Sequence, residues 1–410
     1  MKNRFLIPVL LQLACFTAKS QLSTFFVKPS QTDASYAAVQ DSHYVAVNSG
    51  VTGNGKLLLF IGGTGSQAKN YTAIPKLAAN LGFHAISIAY PNSLAAAQAC
   101  AGSSDSLCFD SFRQEVCYGT PVSSKVSVDT LNSISMRLVK LLQYLSLTDP
   151  SGGWGQFLSG AVPAWSNITV SGHSQGSGHA LYFAGTQPCS RLLMFSGAND
   201  YSVYYSRTAH WIRSSFKTPA NRYFSFLTLN DEVESYASQY EVLRSLGMLN
   251  GDDSTRVDHA QIPYRNSHCL YTTAPSPHPS LPAAYHNTTA VDYFSPAGTG
   301  GYLFNPVWTY MLTSSASTSV VKHNDSHSEF IVFPNPSMDI VTIQPESHEY
   351  VREIHVISLS GQTIKQFNTL SSRAGMTVSI SLEDIPAGSY FIRLTTDSGI
   401  FTRRFVKINP

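Results

Sequence analysis

The chain carries little charge for its length. Only 13% of its 410 residues are charged and the formal net charge is +2, so a long segment kept disordered by its charge is not expected. No Lys/Arg cluster stands out, which argues against a nucleic-acid-binding surface. No apolar stretch reaches the ~20 residues that a membrane-spanning helix needs.

Metal and cofactor motifs are also scarce. There is no CxxC pair, and the one HxxxH spacing, at His323 and His327, falls in a polar stretch without helical periodicity. The glycine-rich turn at residues 62–65 is not followed by Gly-Lys-Ser/Thr, which a phosphate-binding loop would require. We therefore expect no metal site and no cofactor.

The first 20 residues have the pattern of a secretory signal peptide. Two basic residues precede an apolar stretch at residues 5–16, and residues 18–20 (AKS) form a small-x-small cleavage site. Cleavage would leave Gln21 first, and a lipoprotein anchored through Cys15 is the less favoured alternative. We expect an exported protein, secreted or held at the cell surface after passing through the periplasm.

Five cysteines follow the signal peptide, and export permits disulfides between them. We expect a disulfide in the Gly/Ser/Asp-rich loop at residues 100–117, while the odd number leaves at least one thiol without a partner in the chain. The sequence does not decide the connectivity among Cys100, Cys108, Cys117, Cys189 and Cys269.

Hydrophobic patterning divides the rest of the chain into two domains. In residues 21–313, apolar β-runs alternate with helical patterns, which predicts an α/β fold with a mostly parallel central sheet flanked by helices. Residues 314–328 are polar and Ser/Thr-rich, as in a linker. Residues 329–410 consist of short alternating runs separated by turn signals, which predicts a small all-β sandwich.

Individual elements can be placed within the first domain. The predicted helices lie at residues 67–81, 128–145 and 307–312. The predicted strands lie at residues 56–61, 84–90, 167–171, 191–195 and 222–229, with a weaker candidate at 269–273.

The strongest chemical signal is the pentapeptide GHSQG at residues 172–176. It follows a β-run and opens a helical stretch, the context that a G-x-S-x-G nucleophile elbow requires. Ser174 would lie on a sharp turn, relieved of crowding by the two glycines, with the helix N-terminus supplying partial positive charge. The plainer alternative is a tight turn with a spectator serine.

A serine nucleophile needs a base, and the base needs an orienting carboxylate. Asp231 is the preferred acid because it follows the predicted strand at 222–229, at the sheet edge where ligands of open α/β sheets bind. Its neighbour Glu232 would normally point the other way. Asp200, after the preceding strand, is the remaining alternative, and each carboxylate could instead serve a turn or a helix cap.

His286 is the preferred base, because it lies after the last candidate strand and before the C-terminal helix. His268 and His259 lie at or before that strand and are better explained as structural residues. His173 and His179 flank the nucleophile, and His179 falls on a helix where it would pack.

The turn after the first apolar strand, IGGTG at residues 61–65, lets backbone N–H groups approach a substrate oxygen. The N–H of Thr64, together with that of Gln175, could form an oxyanion hole. An ordinary glycine-rich turn between a strand and a helix is the alternative.

Residues 55–313 resemble the α/β-hydrolase superfamily, close in character to bacterial esterases with GHSQG elbows. The matching pieces are LLLFIGGTG, HAISIAYPNS, ITVSGHSQGSGHA, LTLNDE and YHNTTAVD. The resemblance implies an α/β-hydrolase fold, a triad of Ser174, Asp231 and His286, and Thr64 and Gln175 as oxyanion donors. The first turn departs from the commoner His-Gly oxyanion pattern.

Residues 329–410 resemble the type A C-terminal sorting domain of type IX secretion, through VFPNPSMDIVTI, ISLSGQTI, DIPAGSYFIRLTTDSG and RRFVKI. This implies the type IX machinery as a partner and transport across the outer membrane, with an immunoglobulin-like sandwich as the fold. A carbohydrate- or protein-binding sandwich is the physical alternative.

Together these patterns predict a secreted serine esterase with an ester-containing small molecule or polymer as substrate. A polyester depolymerase or a peptidase would use the same triad, because a fold does not determine a substrate. A non-catalytic surface-binding protein is the alternative from a different class.

Overall fold

The computed structural model describes residues 21–36, 41–249, 254–314, 330–345, 351–358, 362–368, 377–396 and 400–409. The chain forms two compact units, Met1–Thr318 and Ser319–Pro410. The predicted signal peptide lies outside the described residues, as does the predicted linker apart from Ser314.

The described residues of the first unit form both strands and helices. Its strands are, in chain order, β1 Leu22–Val27, β2 His43–Asn48, β3 Leu57–Ile61, β4 His84–Ile88, β5 Leu158–Ser159, β6 Val162–Pro163, β7 Ile168–His173, β8 Arg191–Phe195, β9 Tyr201–Ser202, β10 Arg207–Thr208, β11 Tyr223–Thr228, β12 Ser254–Arg256, β13 Cys269–Thr272, β14 Ala297–Gly298 and β15 Gly301–Tyr302. Its helices are α1 Pro29–Thr32, α2 Ala73–Asn80, α3 Ala96–Cys100, α4 Cys108–Tyr118, α5 Ile134–Thr148, α6 Gln175–Thr186, α7 Tyr236–Ser245 and α8 Asn305–Thr313.

Nine of these strands form one mixed sheet in the order β1-β2-β4-β3-β7-β8-β11-β13-β12. The pairings from β4 across to β12 are parallel, whereas β1–β2 and β2–β4 are antiparallel. The carboxyl ends of β3, β7, β8 and β11 therefore meet at one edge of the sheet.

Strand β3 shows why the sheet is buried on both faces. All five of its residues (LLLFI) are inaccessible to solvent, and successive side chains of a strand point to opposite faces. Leu57, Leu59 and Ile61 join one hydrophobic cluster, while Leu58 and Phe60 join the other. The first cluster contains the apolar faces of α4, α5 and α6, and the second contains those of α2 and α8.

Helix α5 illustrates how the sequence specifies the flanking layer. The Ser133 hydroxyl accepts a hydrogen bond from the Met136 N–H and caps the helix N-terminus. Leu138, Leu141 and Leu145 recur at helical spacing and are buried against the sheet. The opposite face reaches solvent, so one periodic stripe determines which side packs.

The predicted α/β-hydrolase fold is wrong for the first unit of this structure. The large sheet is mixed, and the other strands among the described residues lie in five small sheets of two to four strands. The antiparallel strands come from residues 22–48, where no strand was predicted because polar side chains interrupt the apolar ones. A sheet made of the predicted runs alone would have lacked this antiparallel edge.

The second unit is built from two small sheets. Its strands are β16 Phe330–Phe333, β17 Ile340–Pro345, β18 Val351–Ser358, β19 Thr363–Asn368, β20 Val378–Ser381, β21 Gly388–Thr396 and β22 Ile400–Lys407. They pair as β16-β17-β20 and β19-β18-β21-β22. Side chains of both sheets, among them Val341, Ile354, Ile392 and Phe405, share one buried cluster.

Candidate active site

Ser174 stands alone between strand β7 and helix α6. Its backbone has φ 54° and ψ −123°, a region that non-glycine residues rarely adopt and that persists only where the surrounding structure imposes it. Its N–H is held by the Phe195 carbonyl oxygen at 2.9 Å. The chain thus turns sharply at Ser174, as a nucleophile elbow requires.

The two glycines of GHSQG are required by close backbone approach. A Cβ atom on Gly172 would lie 2.2 Å from the carbonyl carbon and oxygen of Gly176, and one on Gly176 would lie 2.0 Å from the carbonyl oxygen of Ile61. Neither backbone atom can move without displacing β3 or α6. The close packing therefore requires glycine at both positions, and it holds the serine against the end of β3.

His286 and Asp231 form a buried pair. The Nδ1 atom of His286 lies 2.8 Å from Oδ2 and 3.0 Å from Oδ1 of Asp231, and the two side chains are 5% and 0% exposed. Nδ1–H therefore donates to the carboxylate, which leaves the lone pair of the neutral ring on Nε2. That buried Nε2 has no hydrogen-bond partner among the described residues.

The loop after β11 keeps Asp231 ionised. Burial alone would raise the pKa of Asp231, but the hydrogen bond and charge of His286 and the N–H groups of Glu234 and Val233 outweigh it and lower the pKa. The two N–H groups bind Oδ1, and Gln239 Nε2 donates to Oδ2 at 3.0 Å. The carboxylate is thus fixed from several sides before it receives the imidazole.

Glu232, the next residue, holds the backbone of the same histidine. Its carboxylate accepts the N–H groups of Tyr285 and His286 at 2.9 and 3.0 Å. The carbonyl oxygen of His286 accepts hydrogen bonds from the Ser196 hydroxyl at 2.7 Å and from His173 Nε2 at 3.1 Å. Both the N–H and the carbonyl oxygen of His286 are therefore anchored. The role of Glu232 in holding the N–H was not predicted from the sequence.

Asp200, the alternative acid, has other partners. It is fully buried and binds the guanidinium of Arg113 through Nε and Nη2, and it accepts the Trp211 Nε1–H at 3.1 Å. Arg113 also donates to the carbonyl oxygen of Gln175 at 2.9 Å. Asp200 thus holds Arg113, which ties α4 to the start of α6, and the structure brings Asp231 to His286 instead.

The two expected oxyanion donors lie at the same opening. The N–H of Gln175 is the first of α6, where helix N–H groups have no intrahelical partner and the helix dipole is positive. Gly63 and Gly65 use their N–H groups on Tyr71 and Asn92, whereas the N–H of exposed Thr64 has no partner among the described residues.

A buried hydrogen-bond chain connects this turn to the histidine loop. The Gly63 N–H donates to the Tyr71 hydroxyl at 3.0 Å, and that hydroxyl lies 3.1 Å from Nδ1 of His173. Burial, followed by the charge of His286, lowers the pKa of His173 to about 3. The neutral ring therefore accepts from Tyr71 at Nδ1 and donates from Nε2 to His286, a connection that the sequence did not reveal.

A cavity of about 410 Å³ joins these groups. Its lining includes Ser174, His286, Thr64 and Gln175, with Asp231 behind the histidine ring. Ala95, Ala97 and Arg113 also line it, so the region of α3 and α4 supplies part of the cavity wall. Val257 and Asp258 line a separate cavity.

The other candidate histidines lie elsewhere. His268 stacks on Phe224 with ring centroids 4.1 Å apart, His259 is exposed, and His179 is buried beside Arg113. In the described part of the chain no group of three or more His, Cys, Asp or Glu residues is arranged to hold a metal ion.

One disulfide joins Cys100 at the end of α3 to Cys108 at the start of α4. It falls within the loop where a disulfide was expected. Cys117, Cys189 and Cys269 are free and buried, and burial raises the pKa of the Cys189 thiol to about 12. Burial also raises the pKa of the Cys117 thiol, so Cys117 and Cys189 lack the thiolate character of reactive cysteines.

Comparison with known proteins gives information on part of the chain. The family described as the secretion system C-terminal sorting domain, Por_Secre_tail, matches residues 331–408. The protein is therefore secreted or located at the cell surface, and its sorting domain implies an interaction with the type IX secretion machinery. None of the described helices is long and apolar enough to cross a membrane.

No curated protein matches the chain. Among solved structures, a DUF3244 family protein from Bacteroides vulgatus with an immunoglobulin-like β-sandwich fold is similar to part of it. The identity is 18%, over 20% of this chain and 85% of that chain, with a TM-score of 0.17. These comparisons give no support for an α/β-hydrolase family in the first unit.

Proposed function

We propose that the first unit is a serine hydrolase that cleaves carboxylic esters through an acyl-enzyme intermediate. The observation that carries this proposal is the buried hydrogen bond between His286 and Asp231, beside a strained serine at a helix N-terminus. A spectator serine would need neither the backbone strain nor an oriented imidazole with an unpaired nitrogen.

In the first half-reaction the Ser174 hydroxyl attacks the acyl carbon of the ester. Its proton passes to Nε2 of His286 as the new C–O bond forms, and Asp231 stabilises the resulting imidazolium. The N–H groups of Gln175 and Thr64 donate hydrogen bonds to the negative oxygen. Collapse expels the alcohol, which takes the proton from Nε2.

In the second half-reaction water attacks the acyl-enzyme. His286 takes a proton from this water, and the new tetrahedral intermediate expels the Ser174 oxygen, which recovers its proton from Nε2. The products are a carboxylic acid and the free enzyme. No cofactor is needed for either half-reaction.

Labelling with a fluorophosphonate probe, combined with assays on p-nitrophenyl esters of increasing chain length, tests this proposal. We expect the probe to label Ser174, and the Ser174→Ala variant to lose both labelling and turnover while remaining folded. Ser66 also lines the cavity, so Ser66→Ala is the matched control and should still be labelled. A wild-type protein that is not labelled would refute the proposal. Labelling together with cleavage of peptides but not of esters would show that the protein is a peptidase.

A further inference from the structure

Glu234 contributes a carboxylate to the cavity that contains Ser174 and His286. Its backbone is fixed on both sides, because its N–H donates to Asp231 at 2.9 Å and its carbonyl oxygen accepts from Gln239 at 3.0 Å. The side chain is partly buried, so this carboxylate is held at the cavity wall by the same turn that positions the proposed acid.

No donor in the described part of the chain binds the carboxylate of Glu234 by a hydrogen bond or an ion pair. Arg113 also contributes a charged side chain to the cavity lining, but its guanidinium is already engaged by Asp200 and by the Gln175 carbonyl oxygen. A partly buried carboxylate without a partner retains an unmet demand for hydrogen-bond donors.

Four charged or titratable groups act on this carboxylate. Burial has the largest effect and raises the pKa of Glu234, and the negative charges of Asp231 and Asp200 raise it further. The charges of His286 and Arg113 lower it, but the net result is a pKa of about 7. The pKa would return toward its ordinary range if a bound cation lay beside the carboxylate.

The other residues of the cavity lining contribute mainly apolar surface and little charge. Ala95, Ala97, Val233, Val291 and Phe294 present apolar surface around the opening. A ligand bound there meets an apolar wall with one carboxylate that is not already occupied. Such a wall would reject a second carboxylate and favour a group that can donate a hydrogen bond.

We propose that Glu234 determines substrate choice by favouring esters that carry a hydrogen-bond donor, a hydroxyl or an ammonium group, a few bonds from the reacting carbonyl. This inference rests on the proposed ester hydrolysis and adds the substrate class to it. An ammonium group would gain a charge-assisted hydrogen bond and a hydroxyl group a weaker one.

Four p-nitrophenyl esters of similar size test this inference: those of butanoic, 3-hydroxybutanoic and 3-aminobutanoic acid, and the monoester of butanedioic acid. The quantity to compare is kcat/KM for each substituted ester divided by kcat/KM for the butanoate. We expect the wild type to prefer the amino ester, then the hydroxy ester, and to discriminate against the acidic monoester.

Two variants separate charge from hydrogen bonding. Glu234→Gln keeps an acceptor without the charge, so the ratio for the amino ester should fall at least about tenfold, while that for the hydroxy ester falls less. Glu234→Leu should lower both ratios and relieve the discrimination against the acidic ester. Glu241→Gln, at a partly exposed position of α7 where Glu241 pairs with Arg244, is the control and should leave every ratio unchanged.

The pH adds a readout that a purely steric role would not change. As Glu234 loses its proton between pH 6 and 8, the ratio for the amino ester should rise in the wild type and stay level in Glu234→Gln. Equal ratios in the wild type and both Glu234 variants would overturn the inference while leaving ester hydrolysis intact. A wild type that hydrolyses none of the four esters would instead refute the proposed function, and this inference with it.

Discussion

Oδ2 of Asp231 lies 2.8 Å from Nδ1 of His286, although 55 residues separate them in the chain. The contact forms because Asp231 follows strand β11 while the loop that carries His286 returns to the same edge of the sheet. The carboxylate fixes which ring nitrogen carries the proton. Removing the charge of Asp231 should therefore have a different consequence from removing the charge of another buried carboxylate.

Asp231→Asn should lower kcat about 10³–10⁴-fold with little change in fold, because an amide can hold His286 in the wrong tautomer. Asp200→Asn is the matched comparison, since Asp200 is an equally buried carboxylate whose partner is Arg113. It should cost about 3–5 kcal/mol of stability by leaving the buried guanidinium unpaired, with a smaller loss of kcat. Steady-state kinetics and urea unfolding of both variants distinguish the two roles. The reverse pattern, with kcat lost mainly in Asp200→Asn, would make Asp200 the functional acid.

Tyr71→Phe should lower kcat about tenfold and affect KM less. The change leaves the Gly63 N–H and His173 Nδ1 without their partner, so the oxyanion turn and the histidine loop lose their connection. Each unsatisfied buried group also costs about 1–3 kcal/mol of stability. Kinetics at saturating substrate measure the first effect, and urea unfolding measures the second.

Tyr310→Phe is the control for this prediction. Tyr310 is buried and donates to the carbonyl oxygen of Ser267, away from the proposed active site. This variant loses one buried hydrogen bond where Tyr71→Phe loses two, so it should lose less stability and keep its kcat. An equal loss of kcat in both variants would show that Tyr71 acts only through general stability.

The sequence predicted what depends on local pattern. The GHSQG elbow, the β-run at 56–61 (KLLLFI) and the helix that contains Leu138 could be placed because their periodicity and glycine spacing reflect local packing. The contacts of Glu232, Tyr71 and Arg113 could not be foreseen, because each joins elements far apart in the chain. The antiparallel edge was missed for the same reason: β1 and β2 acquire their burial from strand pairing and not from a strong apolar run.

Acid should destabilise the folded protein through histidines that are buried in neutral form. Burial, followed by the charge of Arg137, lowers the pKa of His43 from 6.5 to about 3. The unfolded chain therefore takes up a proton near pH 6.5 and the folded protein only near pH 3. Stability that is fully present above pH 6.5 is lost as the pH falls through this window, by about 1.4 kcal/mol per pH unit for one histidine.

Urea unfolding of wild type and His43→Gln at several values between pH 6.5 and 4.5 tests this slope. We expect the free energy of unfolding to fall less steeply in His43→Gln, by about 1.4 kcal/mol per pH unit. His259→Gln changes an exposed histidine and should keep the wild-type slope. Glu234, with its raised pKa, acts in the opposite direction in every one of these proteins and so does not affect the comparison. Identical slopes in wild type and His43→Gln would contradict the assignment.

The disulfide between Cys100 and Cys108 should stabilise the wall of the cavity. It closes a loop with a sequence separation of 8 residues, for which the chain-entropy relation gives about 2.5 kcal/mol. The free energy of unfolding of the double variant Cys100→Ala/Cys108→Ala, measured with urea, should therefore be lower than that of the wild type by about that amount. Reduction of the wild type should produce a similar loss, whereas the same reductant should leave the double variant unchanged because its remaining thiols, Cys117, Cys189 and Cys269, are already free. If the reductant destabilises both proteins equally, the stabilisation has another origin; if it affects neither, the cross-link does not form in the secreted protein.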